Sequence, residues 1–196
     1  MPIRNLPERW GAPSIALHWL TLLLVLALVI LGLVMTELPN SAFKVKVYAL
    51  HKSLGLTVLG LTALRLLWRL FAGTPGPVPG TPRWQNAGAQ LMHGALYVLL
   101  LAMPLSGWLY NSASGFPLKF FGWFRVPALS GRDATLKALA HDAHYWLFVT
   151  LVLLVALHAA AALYHHYRNR DATLARMLPL AKVPATGPRA SGDQEN

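Results

Sequence analysis

"HYWLFVTLVLLVALHAAAALYHH" (His144–His166) is an apolar run with a histidine at each end of its greasiest part, and two more just beyond. His144 and His158 are fourteen residues apart, which on an α-helix is about 21 Å of rise and a return to within about 40° of the same face. An imidazole set in hydrocarbon without a partner costs roughly 1–3 kcal/mol. One helix therefore presents two imidazoles inward at two depths, and each needs something to bind.

The rest of the chain has the composition to match. Its 196 residues are 55% hydrophobic and 12% charged, with a mean hydropathy of +0.45. That balance points to an integral membrane protein of one domain, residues 1–180, whose core is made of spanning helices. There is no cysteine, which excludes disulfides, iron–sulfur clusters and Cys-type zinc sites. Any metal has to be held by His, Met or carboxylate. The formal charge is +10, but the bases flank apolar spans instead of interleaving with aromatics on a polar face, so nucleic acid is not an expected partner.

Four segments are long enough to cross a core that needs about 20 apolar residues per helix: 14–36, 48–70, 91–111 and 142–165. The first exceeds the usual signal-peptide core and opens with His18 and Trp19, so it is expected to stay in the mature chain. "AGTPGPVPGTPRW" (Ala72–Trp84) reads as a proline-rich connector and 181–196 as a disordered cytoplasmic tail. No alternating pattern signals a strand. Pro104 is expected to kink the third helix. Lys and Arg near the span ends favour cytoplasmic termini, yet Lys44, Lys46, Lys52, Lys119, Arg125, Arg132 and Lys137 fall on the other side and give it a basic face.

On this topology His18 and His158 share the depth nearer the termini, and His51 and His144 share the opposite depth. Any one of these histidines alone reads as a hydrogen-bonded interfacial residue. Two depth-matched pairs read as axial ligands of two b-type haems. A zinc site would need three or four ligands at one level. The expected fold is all-α, a four-helix transmembrane bundle binding two b-type haems. Gly55, Gly60 and Ala159 to Ala162 are expected to leave room for a flat macrocycle or a close neighbour. Arg65, fourteen residues past His51, falls near the His18 level, where a haem propionate or simple snorkelling would use its charge. His141 lies about 100° off the face of His158, and His93 is expected to be a hydrogen-bonding residue.

"IALHWL", "ALHKSLG", "HGALYVLLLAMPLSGW" and "LHAAAALYHHY" in this order resemble the bacterial cytochrome b561 family from about Ser14 to Met177. The resemblance implies two haem b groups with His18 and His158 on the cytoplasmic-side one, His51 and His144 on the outer one, and a multi-pass location in the bacterial inner membrane. Its pattern is nearest to members that pass electrons from superoxide to ubiquinone. That activity would give the basic face a purpose, since positive charge raises the encounter rate of a small anion. It would also require a proton donor for the quinone, for which His165 is the candidate, with Ser14 and Arg9 as neighbours. The competing expectation is a cytochrome subunit that relays electrons for a partner dehydrogenase or hydrogenase, and a third is a haem-free helical protein.

Overall fold

The computed structural model describes residues 2–179, so the tail expected to be disordered lies outside the described residues. Four long helices carry the fold: α1 (Ala12–Glu37), α2 (Ala42–Ala72), α3 (Arg83–Ala113) and α4 (Ala134–Tyr164). All four are long and apolar enough to cross a membrane. Each begins earlier than its apolar core, and in three of them a local signal marks the start. Pro13 preorganises the first turn of α1. Ser41 Oγ accepts from the Lys44 amide to start α2, and an Asp133 carboxylate oxygen accepts from the Leu136 amide to start α4. α2 stops at Gly73, whose φ of +72° suits glycine. α3 runs as one helix through Pro104.

Packing follows chain order: α1 lies on α2, α2 on α3, and α3 most extensively on α4. α1 and α4 make no comparable backbone pairing. The buried core is one thin layer of Val25, Val58, Leu99, Leu100 and Leu151, to which every helix contributes. It sits close to the midpoint of all four helices. Above and below it the interior is half-buried, and α4 fully buries only Ala140 and Leu151. Large apolar side chains such as Leu23, Ile30, Leu153 and Leu157 point outward, as a bilayer rather than water demands.

One expectation is corrected. Between α3 and α4 the chain forms an antiparallel hairpin, β1 (Leu118–Phe120) paired with β2 (Phe124–Val126). Strands of three residues are too short for alternation to reveal them. β1 packs on α2. At the other end of the bundle, the N-terminal segment, the proline-rich connector and the C-terminal turn are knitted together. Asn5 Nδ2 donates to the Gly73 carbonyl, Arg176 Nη1 to the Gly76 carbonyl and Trp19 Nε1 to the Met177 carbonyl.

Candidate functional site: two histidine tiers

On every helix the inward face repeats at seven-residue steps, and the steps coincide. α1 carries His18, Val25 and Gly32; α2 carries His51, Val58 and Arg65; α3 carries His93, Leu100 and Gly107; α4 carries His144, Leu151 and His158. Seven residues are about 10.5 Å of rise and two turns short of full register by about 20°, so residues at that spacing stack on one face. Three tiers result. The middle one is the apolar core layer, and the outer two hold the histidines.

The tier nearer the termini gathers His18, Arg65, His93 and His158. The rings of His18 and His158 have centroids 6.3 Å apart, and His93 lies 5.3 Å from His158. Arg65 Nη2 stands 3.0 Å from His18 Nδ1, with its guanidinium 5.4 Å from the centre of the Tyr97 ring. A guanidinium only donates, so His18 Nδ1 accepts in this arrangement. Among the described residues the only ion pairs are His141 with Asp142 and His165 with Asp171, which leaves Arg65 without a carboxylate.

In the tier nearer the hairpin, His51 and His144 rest in hollows made by glycines. A Cβ added to Gly32 would come within 3.4 Å of His51 Cε1, and one added to Gly107 would come within 2.9 Å of His144 Cε1. By contrast Gly55 and Gly60 have no such neighbour within 4 Å, so they border open space and the close approaches are elsewhere. His144 Nδ1 is 3.2 Å from the Met103 carbonyl and 3.0 Å from Ser106 Oγ. His51 Nδ1 is buried without a hydrogen-bond partner. His141 is exposed, paired with Asp142 and stacked edge-on to Tyr110, and takes no part in the tier.

The remaining predicted residues are more scattered. His165 opens a π-helical turn, His165–Asn169, after α4, and its Nδ1 is 2.5 Å from Asp171 Oδ2. Burial alone would raise the Asp171 pKa, but hydrogen bonds from Thr173 and His165 hold it below the usual carboxylate range. Ser14 Oγ donates to Asn5 Oδ1 and accepts from Trp68 Nε1. Arg9 has its Nε and one Nη buried without partners. No hydrogen bond joins His165 to either of them. Of the seven bases at the hairpin end, Lys46, Lys119, Arg125, Arg132 and Lys137 are exposed, Lys44 Nζ donates to the Leu38 carbonyl, and Lys52 Nζ lies 5.9 Å from the centre of the Phe116 ring. A cavity of about 420 Å³ beneath the hairpin is lined by Asn111, Ser112, Leu118 and Arg125 among others and by none of the histidines.

His93, Gly32 and Gly107 are the tier members that reading the sequence for histidine pairs does not find. The signal was present as the fourteen-residue step already used from His51 to Arg65 and from His144 to His158, which also carries His18 to Gly32 and His93 to Gly107.

The donor set suits a b haem. The rings of His18 and His158 oppose each other in one tier, His51 and His144 share the level of the other, an arginine without a carboxylate among the described residues stands beside His18, and His144 Nδ1 is engaged by backbone so that Nε2 is free for iron. Residues 9–180 match the sequence profile of the prokaryotic cytochrome b561 family. Cytochrome b561 homolog 2 of Escherichia coli K12 is 38% identical over 91% of this chain and 95% of its own length. Cytochrome b561 homolog 1 of the same organism is 35% identical over 89% and 99%. A probable superoxide oxidase, CybB, of Yersinia pestis is 29% identical over 88% and 97%. With four spanning helices, opposed histidines and a match along nearly its whole length, the chain belongs to the prokaryotic cytochrome b561 family of membrane electron-transfer proteins, which implies b-type haem.

Proposed function

We propose that this cytochrome carries two b haems and oxidises superoxide with ubiquinone as acceptor, in the bacterial inner membrane with both termini cytoplasmic. The observation that carries the reading is the pair of histidine tiers on either side of one apolar layer. His18 and His158 would ligate one haem and His51 and His144 the other. Bound there, the haems supply one-electron carriers at two depths.

The chain's own residues have four tasks. Arg65, without a carboxylate partner among the described residues, would leave His18 Nδ1 and neutralise a propionate, which also frees His18 to carry its proton on Nδ1 and offer Nε2 to iron. Val25, Val58, Leu100 and Leu151 keep water out between the tiers. Lys44, Lys46, Lys52, Lys119, Arg125, Arg132 and Lys137 make the face that draws the superoxide anion in. His165, oriented by Asp171, would hold the proton for the quinone, and the unpartnered buried donors of Arg9 suit its carbonyl oxygens, with the Ser14 hydroxyl as a further candidate. In balance, two superoxide anions and two protons convert one ubiquinone to ubiquinol and two molecules of oxygen.

The test is anaerobic reduced-minus-oxidised spectroscopy of the purified protein, with superoxide as donor and ubiquinone as acceptor. A b-type spectrum that superoxide develops and ubiquinone bleaches supports the reading. The relatives named cytochrome b561 homologs carry no substrate in their names, and the second reading is an electron-transfer subunit serving a redox partner protein. A haem spectrum that superoxide leaves untouched decides for that one.

A further inference from the structure

The hairpin is built in a way that electron transfer does not explain. Its tip, Phe121–Gly122–Trp123, runs through two left-handed residues, Phe121 at φ +47° and Gly122 at φ +81°. A bulky aromatic in that region is an outlier that something must hold in place. Ser53 is what holds it: its Oγ accepts from the Phe121 amide at 3.0 Å, and Ser53 is only 1% exposed. Ser53 is two residues past His51, about 200° round the helix, so the tip lies on the side of α2 turned away from the haem tier, the side that faces lipid.

The same bond fixes depth. Ser53 is five residues from Val58 in the central layer, about 7.5 Å along the axis, whereas half the hydrocarbon thickness is about 15 Å. The tip is thus pinned below the headgroup boundary. Its outward side chains are those such a depth requires, Trp123 at 80% and Phe124 at 57% exposure, and the Trp123 amide is satisfied by the Phe120 carbonyl. Lys119, whose carbonyl also lies 3.4 Å from Ser53 Oγ, and Arg125 are cross-strand partners and so project from one face. Their stems are long enough to reach up to phosphates.

We infer that the β1–β2 hairpin is a phospholipid-binding anchor: its aromatic tip inserts among the acyl chains of the leaflet at that end of the bundle, and Lys119 with Arg125 grips lipid phosphate. Charges engaged in this way contribute less to drawing in superoxide, which leaves that task to the other five bases.

Because the chain has no cysteine, single cysteines report depth without background. The haem-loaded protein goes into lipid nanodiscs, one copy per disc, with Trp123→Cys, Phe124→Cys, Thr135→Cys or Leu153→Cys, and is exposed to a charged, membrane-impermeant maleimide. Thr135, sixteen residues from Leu151 and so about 24 Å away, should label fast, and lipid-facing Leu153 should not label. The anchor requires Trp123→Cys and Phe124→Cys to label many-fold more slowly than Thr135→Cys, and to catch up once the discs are dissolved in denaturing detergent. Adding Lys119→Gln and Arg125→Gln should speed labelling of Trp123→Cys several-fold. Labelling of both tip cysteines at the Thr135 rate overturns the insertion, and protection that appears only with two copies per disc assigns the tip to a second copy instead. An unchanged rate in the double glutamine variant overturns the phosphate contact.

Discussion

Gly107→Ala is the sharpest perturbation the tiers offer. The added Cβ would sit 2.9 Å from His144 Cε1 and 3.2 Å from Nδ1, whereas carbon atoms settle at about 3.5–4.0 Å. The ring must therefore retreat by about 0.5–1 Å. It has nowhere neutral to go, since its Nδ1 is held by Met103 and Ser106 on the same helix as the new methyl. With His144 as the proposed ligand, an iron–imidazole bond would not stretch that far, so the cost would fall on haem retention. Overpacking of this kind costs about 1–3 kcal/mol, equivalent to roughly 5- to 150-fold weaker binding. Haem per protein, measured as the pyridine haemochrome after purification, should fall toward half while the other haem stays low-spin. Gly32→Ala is the built-in comparison, because its Cβ would stop at 3.4 Å from His51 and should lose much less. Full haem content in Gly107→Ala, with an unshifted spectrum, would refute the assignment of His144 and the glycine hollow together.

Three further outcomes follow from the other contacts. Arg65→Gln should lower the midpoint potential of the haem on the termini side, seen in a redox titration as one component moving and one staying, because a buried positive charge near a haem favours the electron-rich form. His93→Leu should leave two low-spin haems, since the His93 and His158 ring centres are 5.3 Å apart, closer than the 6.3 Å between His18 and His158; a high-spin signal in electron paramagnetic resonance would make His93 the ligand. Asp171 has a folded pKa below its ordinary value, so the stability it contributes is present above the unfolded value, about 3.9, and is lost as pH falls through the folded one. Asp171→Asn should accordingly loosen the C-terminal turn at pH 7, read as faster proteolysis beyond Tyr164, and make no difference in acid-stability measurements well below pH 3.9.

The four spans and the two depth-matched pairs were legible because hydrophobic length and helical pitch depend on sequence alone. That His144 turns inward and His141 outward was legible for the same reason: fourteen residues from His158 return to its face and seventeen do not. What the sequence hid was what depends on tertiary context. Gly55 and Gly60 look like spacers, but a glycine does so only where another helix places a ring against it, which happens at Gly32 and Gly107. His93 seemed unmatched because partners were sought in pairs, whereas the tier holds three imidazoles and an arginine. The hairpin escaped because three-residue strands leave no periodic trace. His165 was named as the proton donor a quinone would require, and its coupling to Asp171 depends on a π-helical turn that spacing cannot foresee.

The buried apolar layer of Val25, Val58, Leu100 and Leu151 also makes the molecule an electrical element. The histidine levels it separates are fourteen residues apart on α4, about 21 Å of a hydrocarbon thickness near 30 Å. A unit charge carried from one level to the other falls through roughly two-thirds of the transmembrane voltage, worth about 1.6 kcal/mol for every 100 mV. Turnover in an energised membrane would then be driven or opposed by the resting voltage according to the direction of travel, and a protonophore would change its rate without touching the protein.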